Sequence, residues 1–302
     1  MHKLTSYFKN LLQGNKLVIG IPYGWFIMLV LMPLLIVLKI SMSEMEATSV
    51  SSMISWSQGW PTLKLNSANY QFIFSDALYV KTYFSSIKYA MITTTLCLAI
   101  GYPFAYFMAR SPKHLQPILL MLIMLPFWTS FLLRIYAWKT LLVNNGVINN
   151  VLMSLGLIHA PLAMMNNSFS LIIGMVYSYL PFMILPLYAN LSKLDLRYLE
   201  AAADLGTSPF KAFWLITVPL SKAGIIAGTM LVFIPAVGEF VIPELLGGPD
   251  TLMIGRVLWD EFFSNNDWPM AAAVAVVMIL LILLPMVMFN KAEAEQEAGG
   301  KA

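Results

Sequence analysis

Six stretches of this chain are each apolar for about 20 residues or more, the length a helix needs to cross roughly 30 Å of hydrocarbon. They run Leu17–Ile40, Ile87–Met108, Pro117–Val143, Phe169–Leu191, Ala223–Leu246 and Met270–Phe289. Inside lipid every backbone N–H and C=O must find a partner within the chain, so each run is predicted to be a helix. The 302 residues are 59% hydrophobic and only 11% charged, more apolar surface than a soluble fold can bury. The expectation is therefore an all-α polytopic membrane protein with six transmembrane helices. The fifth run departs from a plain span: Pro235, Glu239 and Pro243 interrupt it, and the two prolines are expected to break its helix around the acid.

Charge sets the expected orientation. With an even number of spans both termini share one side, and basic residues collect on the cytoplasmic side. Placing the amino terminus inside puts Lys3, Lys9, Lys16, Arg110, Lys113, Lys193, Arg197, Lys211, Lys222, Lys291 and Lys301 there, 11 of 18 basic residues. Nine acids, among them Glu44, Glu46, Asp76 and Asp267, then lie outside or in the spans, against six inside. Both termini are predicted to be cytoplasmic. The first run follows lysines as a signal peptide does, but its apolar stretch is too long and lacks a small-residue cleavage pattern, so it reads as a retained helix.

Other classes find little footing. A net charge of +3, scattered along the chain, gives no stripe for nucleic acid. Cys97 alone cannot build a disulfide framework or a multi-cysteine metal site, and reads as a small apolar core residue. His2, His114 and His159 lack metal-ligand spacing. Neither G-x-S-x-G nor H-E-x-x-H occurs, so an enzyme is not expected.

The outer loops, 41–86, 144–168 and 247–269, are polar enough to be solvated, and the last is acidic and aromatic. The inner loop between the fourth and fifth runs is about 30 residues long and reads KLDLRYLEAAADLGTSPFKAFWLITVPLSK. Leu194, Leu196, Leu199 and Ala203 lie near helical spacing, Ala201–Ala203 favour helix, and Gly206, Thr207, Ser208 and Pro209 end one helix and start another. Two short helices joined at a glycine are expected. Glu200, Ala201 and Ala202 are followed by Gly206, then by Ile216 and Pro219, with Val218 where the pattern would have leucine. This resembles the EAA loop of permease subunits of ATP-binding-cassette (ABC) importers.

The likeness extends over about Leu17 to Phe289. The segments LPFWTSFLLRIYAW (from Leu125), NNGVINN (from Asn144), VYSYLPFMILPLY (from Val176), LVFIPAVGEFVIPELLGGPDTLMIGRVLWDEFF (from Leu231) and NDWPMAAA (from Asn266) are similar to polyamine importer permeases, those for putrescine above all. The resemblance implies a type I ABC importer permease core at residues 85–290, preceded by a first helix and periplasmic segment within 1–84 and followed by a cytoplasmic tail, 291–302. It implies import of putrescine, with spermidine or another small solute as the alternative, and an ATP-independent cation transporter as a more distant one. It also implies an inner-membrane complex with a second homologous permease, two copies of a cytoplasmic ATPase subunit and a periplasmic polyamine-binding protein. This chain carries no G-x-x-x-x-G-K-[ST], so ATP and magnesium belong to the partner ATPase.

Two sets of residues stand out. Small Ala201 and Ala202 allow close approach to a partner groove, Glu200 offers a charged contact and Gly206 a sharp turn, so these four are assigned to ATPase coupling. For the substrate path, Glu239 is an acid deep in an apolar run, where an unpaired carboxylate is costly. It serves either a cation path or a structural ion pair with Arg134 or Lys139. Trp128, Tyr136, Trp138, Tyr177 and Tyr179 supply either cation–π faces or an interfacial belt, with Trp128 the first choice. Glu244 and Asp260, nearer the mouth, are suited to attracting a cation. Two G-x-x-x-G pairs, Gly20 with Gly24 and Gly224 with Gly228, read as helix-packing faces.

Overall fold

The computed structural model describes residues 14–46, 49–50, 54–57, 60–63 and 66–299. Lys3, Lys9 and Lys301, used above to orient the chain, lie outside the described residues. The chain divides into two compact units, 1–75 with 260–279, and 76–259 with 280–302.

In the first unit, helix α1 runs Gly14–Phe26, passes through a π-turn at Ile27–Leu31 and continues over Met32–Ser41. From Val18 on its apolar side chains are mostly exposed, as in a lipid-facing helix. Among the described residues no other atoms lie near the positions that β-carbons on Gly20 and Gly24 would take, so this G-x-x-x-G face meets none of them. Short antiparallel pairs follow, β1 (Met45–Glu46) with β2 (Ser49–Val50), and β3 (Ile54–Ser57) with β4 (Trp60–Leu63). Helix α2 (Ala68–Ser75) is tied back to the end of α1 by the Tyr70 hydroxyl on Ser41 Oγ at 2.7 Å.

The second unit is built around helices α3 (Ala77–Arg110) and α7 (Ser168–Leu191), with α4 (Gln116–Met124), α5 (Phe131–Leu142) and α6 (Val147–Ser154) between them in the chain. Asp76 caps α3 by accepting the Leu78 N–H at 2.7 Å. The helix begins ten residues before the apolar run starts. Lys81, Thr82 and Ser85 dilute the hydropathy there, yet Tyr79, Thr82, Tyr83, Ser86, Tyr89 and Ala90 bury one face at helical spacing. Asn167 caps α7 through a reciprocal pair with Ser170.

After α7 come α8 (Arg197–Asp204) and α9 (Pro209–Ala212), then a π-turn at Phe213–Thr217 and the short turn Val218–Leu220. Helix α10 (Lys222–Val237) packs on both α3 and α7. Here the second G-x-x-x-G does what the spacing predicts: a β-carbon on Gly224 would lie 2.8 Å from that of Asn190, and one on Gly228 2.7 Å from the Met183 sulfur. Helices α11 (Val241–Leu246) and α12 (Ile254–Trp259) close the unit, and α13 (Trp268–Gly299) passes from the first unit into the second.

Val18–Ser41, α3 and α7 are each long and apolar enough to cross a membrane; two further bent pairs bring the number to five if each pair is one span, and Trp268–Leu283 is a shorter apolar helix. The chain is a multi-pass membrane protein. The third run is not one straight helix. It breaks at Thr129–Ser130, with an 86° bend between the 116–128 and 131–154 segments, because Thr129 is extended and its hydroxyl bonds the Pro126 carbonyl at 2.7 Å.

Candidate functional site

The fifth run breaks where the acid stands, between the two prolines: α10 continues through Pro235 to Val237, and the break falls at Gly238–Phe240. Pro243 lies in the first turn of α11; it has no N–H for the Glu239 carbonyl four residues back, so a helix starts here rather than running through. There Glu239 Oε1 accepts the N–H groups of Phe240 at 3.1 Å, Val241 at 2.9 Å and Ile242 at 3.4 Å, the donors that the start of α11 leaves unpaired. Glu239 Oε2 accepts a hydrogen bond from the Tyr179 hydroxyl of α7. Both side chains are buried. Among the described residues neither Arg134 nor Lys139 pairs with Glu239, so the structural ion pair weighed from the sequence is not formed.

Gly255 of α12 lies against the same break. A β-carbon there would run into the Gly238 carbonyl oxygen and stand 2.7 Å from that of Glu239. Glu244 of α11 pairs with Arg256 of α12 at 2.6 Å, and at the break itself the Phe240 ring stacks on that of Trp259 at 4.5 Å with 9° between planes. Ser86 Oγ of α3 accepts the first N–H of α12 at 2.7 Å. The break is therefore held by Tyr179 of α7 and Gly255 of α12, and α12 is in turn held by α3 through Ser86.

The remaining path candidates are dispersed. Trp128 ends the 3-10 turn after α4 and is 79% exposed. Tyr177 is turned away from Glu239 and meets Trp138 edge-on at 5.4 Å. An aromatic row leads from Tyr179 to Phe182 at 6.4 Å and on to Phe127 at 5.2 Å, whose ring lies under the Arg134 guanidinium at 5.0 Å. Asp260 lies in the first unit, opening the π-turn Asp260–Ser264. Sequence reading did not single out Arg256. An arginine 12 residues after Glu244, beyond a Gly-Gly-Pro-Asp turn, was the available signal.

The coupling candidates fold locally as their spacing predicts. Gly206 separates α8 and α9 at φ +76°, in the left-handed region, and the N–H groups of Gly206 and Thr207 return to the carbonyls of Ala203 and Ala202. Glu200 and Ala201 are exposed and Ala202 is buried. Leu196, Tyr198, Leu205 and Phe210 around them are exposed as well.

Residues 99–291 match the family of binding-protein-dependent transport system inner membrane components. The spermidine/putrescine transport system permease protein PotB of Haemophilus influenzae is 40% identical over 261 residues, covering 86% of this chain and 87% of that one. PotB of Escherichia coli is 38% identical over 269 residues, covering 89% and 94%. PotB of Salmonella typhimurium is 37% identical over 284 residues, covering 94% and 95%. Among solved structures, a bacterial alginate ABC transporter in complex with an alginate pentasaccharide-bound periplasmic protein has a chain that superposes with a TM-score of 0.63 at 16% identity, covering 94% of this chain and 96% of that one. A second structure of a bacterial alginate importer gives a TM-score of 0.62 at 17% identity, covering 91% and 95%. The chain thus has the fold of an ABC importer permease, and it belongs to the family of inner membrane components of binding-protein-dependent transport systems. Its task is transport; it is not an enzyme.

Proposed function

We propose that this chain is the permease subunit of an ABC importer carrying putrescine across the inner membrane. Relatives at 37–40% identity are named for spermidine and putrescine transport, which supports the polyamine class. The observation that carries the cationic substrate is Glu239: a buried carboxylate at the one place where the α10–α11 segment unwinds, facing a tyrosine. An ammonium crossing a low-dielectric region needs a counter-charge or an aromatic face. Three N–H donors hold one carboxylate oxygen in place, and the other is shared with Tyr179, whose hydroxyl can rotate away as an amine arrives.

In this reading Glu239 lies on the path, with Trp128 and Tyr177 as aromatic faces elsewhere along it, and Glu244 and Asp260 toward the outer mouth. Both termini are cytoplasmic. Residues 85–290 form the core, preceded by the first helix and an outer segment, with 291–302 as the tail. A periplasmic binding protein delivers the substrate, a second homologous permease completes the pathway, and two ATPase copies bind ATP and magnesium. The ATPase docks on the 192–222 loop through Glu200, Ala201, Ala202 and Gly206.

Uptake of labelled putrescine into membranes with matched complex levels tests this. Glu239→Gln keeps shape and hydrogen bonding but removes the charge, and should reduce uptake strongly; parental uptake by this variant would sink the assignment. The paired substrate names of the relatives favour a second reading in which spermidine is carried equally well, and competition between the two labelled amines separates the readings.

A further inference from the structure

The two short helices α8 and α9 are followed by a π-turn, Phe213–Thr217, and that turn places Phe213 against α3. Single π-turns within helices disturb the regular ladder and recur at functional positions. Tyr102 and Tyr106, one turn apart on one face of α3, receive the Phe213 ring edge-on, at 5.5 Å and 5.6 Å with 88° between planes in both cases. The Arg110 guanidinium lies over the Tyr106 ring at 5.1 Å. The Tyr102 hydroxyl meets Ser221 Oγ at 2.7 Å, and Ser221 Oγ donates to the Val218 carbonyl at 3.0 Å. Ser221 is fully buried and stands where Pro209–Leu220 and Lys222–Val237 meet at a 66° bend. One notch on α3 thus grips the end of the 192–222 loop and the pivot of α10 together. The 16 residues of α10 then run roughly 24 Å from this pivot to the break that holds Glu239.

We infer that Phe213, seated between Tyr102 and Tyr106, is the joint that transmits movement of the 192–222 loop to α10 and so to the break at Glu239. Phe213 is a positioning residue: it need not touch the ATPase or the substrate. Without the ring, the loop can move while the pivot at Ser221 stays where α3 holds it. The inference rests on the reading of 192–222 as the ATPase-docking loop.

The test uses the whole complex in lipid vesicles, with labelled putrescine and, in a parallel arm, labelled spermidine as probes, scored as amine imported per ATP hydrolysed. Phe213→Ala should keep the ATPase subunit bound, hold ATP hydrolysis within about twofold of the parent and lower the import-to-hydrolysis ratio about tenfold, within the range by which single residues alter coupling between sites. Phe213→Tyr, which keeps the ring, should restore the ratio. If Phe213→Ala lowers the amount of complex, Phe213→Leu is scored on the same ratio, which is independent of amount. A parental ratio in the Ala or Leu variant overturns the inference, as does release of the ATPase subunit, which would make Phe213 part of the docking surface. Glu200→Lys in the same assay separates the two readings. If it keeps the ATPase bound with normal import, the docking assignment fails; if it releases the ATPase while Phe213→Ala has a parental ratio, docking stands and the joint fails.

Discussion

The Tyr179 hydroxyl donates to Glu239 Oε2 while Glu239 Oε1 takes three backbone N–H groups, so a single buried carboxylate both starts a helix and is tied to a neighbouring one. Each donor offsets part of the cost of placing a negative charge in an apolar span. Tyr179→Phe removes the hydroxyl and keeps the ring. Because a hydrogen bond to a charged group contributes about 1.5–3 kcal/mol, the variant should unfold at lower temperature in detergent. If the hydroxyl also screens the carboxylate from the substrate, the KM for putrescine should shift while the import-to-hydrolysis ratio does not. An unchanged melting temperature would mean that the bond contributes nothing to the folded state.

Gly255 lies where a β-carbon would meet the carbonyl oxygens of Gly238 and Glu239, backbone atoms that cannot rotate away. Gly255→Ala should therefore force α12 from the break and cost about 1–3 kcal/mol, as overpacking does. Thermal unfolding of the purified complex measures this, and a variant as stable as the parent would show that the break tolerates displacement.

Glu244 and Arg256 are 2.6 Å apart, with the acid side chain 52% exposed and the base 30%. At that exposure the pair contributes on the order of 0.5 kcal/mol, and salt weakens it. Glu244→Gln should barely alter stability, while the charge-reversed double variant Glu244→Arg with Arg256→Glu, which keeps the pair but moves the acid, should take up putrescine less well at low salt. If the double variant is folded and takes up putrescine like the parent, Glu244 serves only the pair and not the path.

Gly206 has φ +76°, which a β-branched residue adopts only at a steric cost of about 1 kcal/mol or more. Gly206→Val should lose transport with the permease still in the membrane, and Gly206→Asn, which tolerates that region, should retain more. Equal uptake by the two variants would show that the turn's conformation is not limiting.

Reporter fusions after Lys113 or Lys211 should be cytoplasmic and one after Asn150 periplasmic, as expected from the distribution of basic residues. The reverse pattern would move the 192–222 loop to the side opposite the ATPase.

How much was legible in advance differs from residue to residue. The turn at Gly206 could be read because its cause is local: a glycine between a helix-forming run and Ser-Pro needs only its own neighbours to adopt φ above zero. The packing face of Gly224 and Gly228 could be read for the same reason, since spacing alone places both on one side of a helix. The identical spacing at Gly20 and Gly24 meets nothing among the described residues, and no property of the pair itself distinguishes the two cases. The break beside Glu239 was legible from Pro243, which has no N–H for the Glu239 carbonyl, whereas Pro235 stays inside α10, and the helix parts at Gly238–Phe240 between them.

Membrane class and helical content followed from the sequence because lipid demands long apolar segments with internally paired backbones, a constraint each segment meets by itself. The tertiary structure decided which groups meet: that Tyr179 rather than Tyr177 reaches Glu239, that Arg256 rather than Arg134 finds an acid, and that Phe213 enters the notch of Tyr102 and Tyr106. Those pairings depend on the rotation and crossing of helices far apart in the chain. Within an almost uniformly apolar span, hydropathy carries little record of which face turns inward.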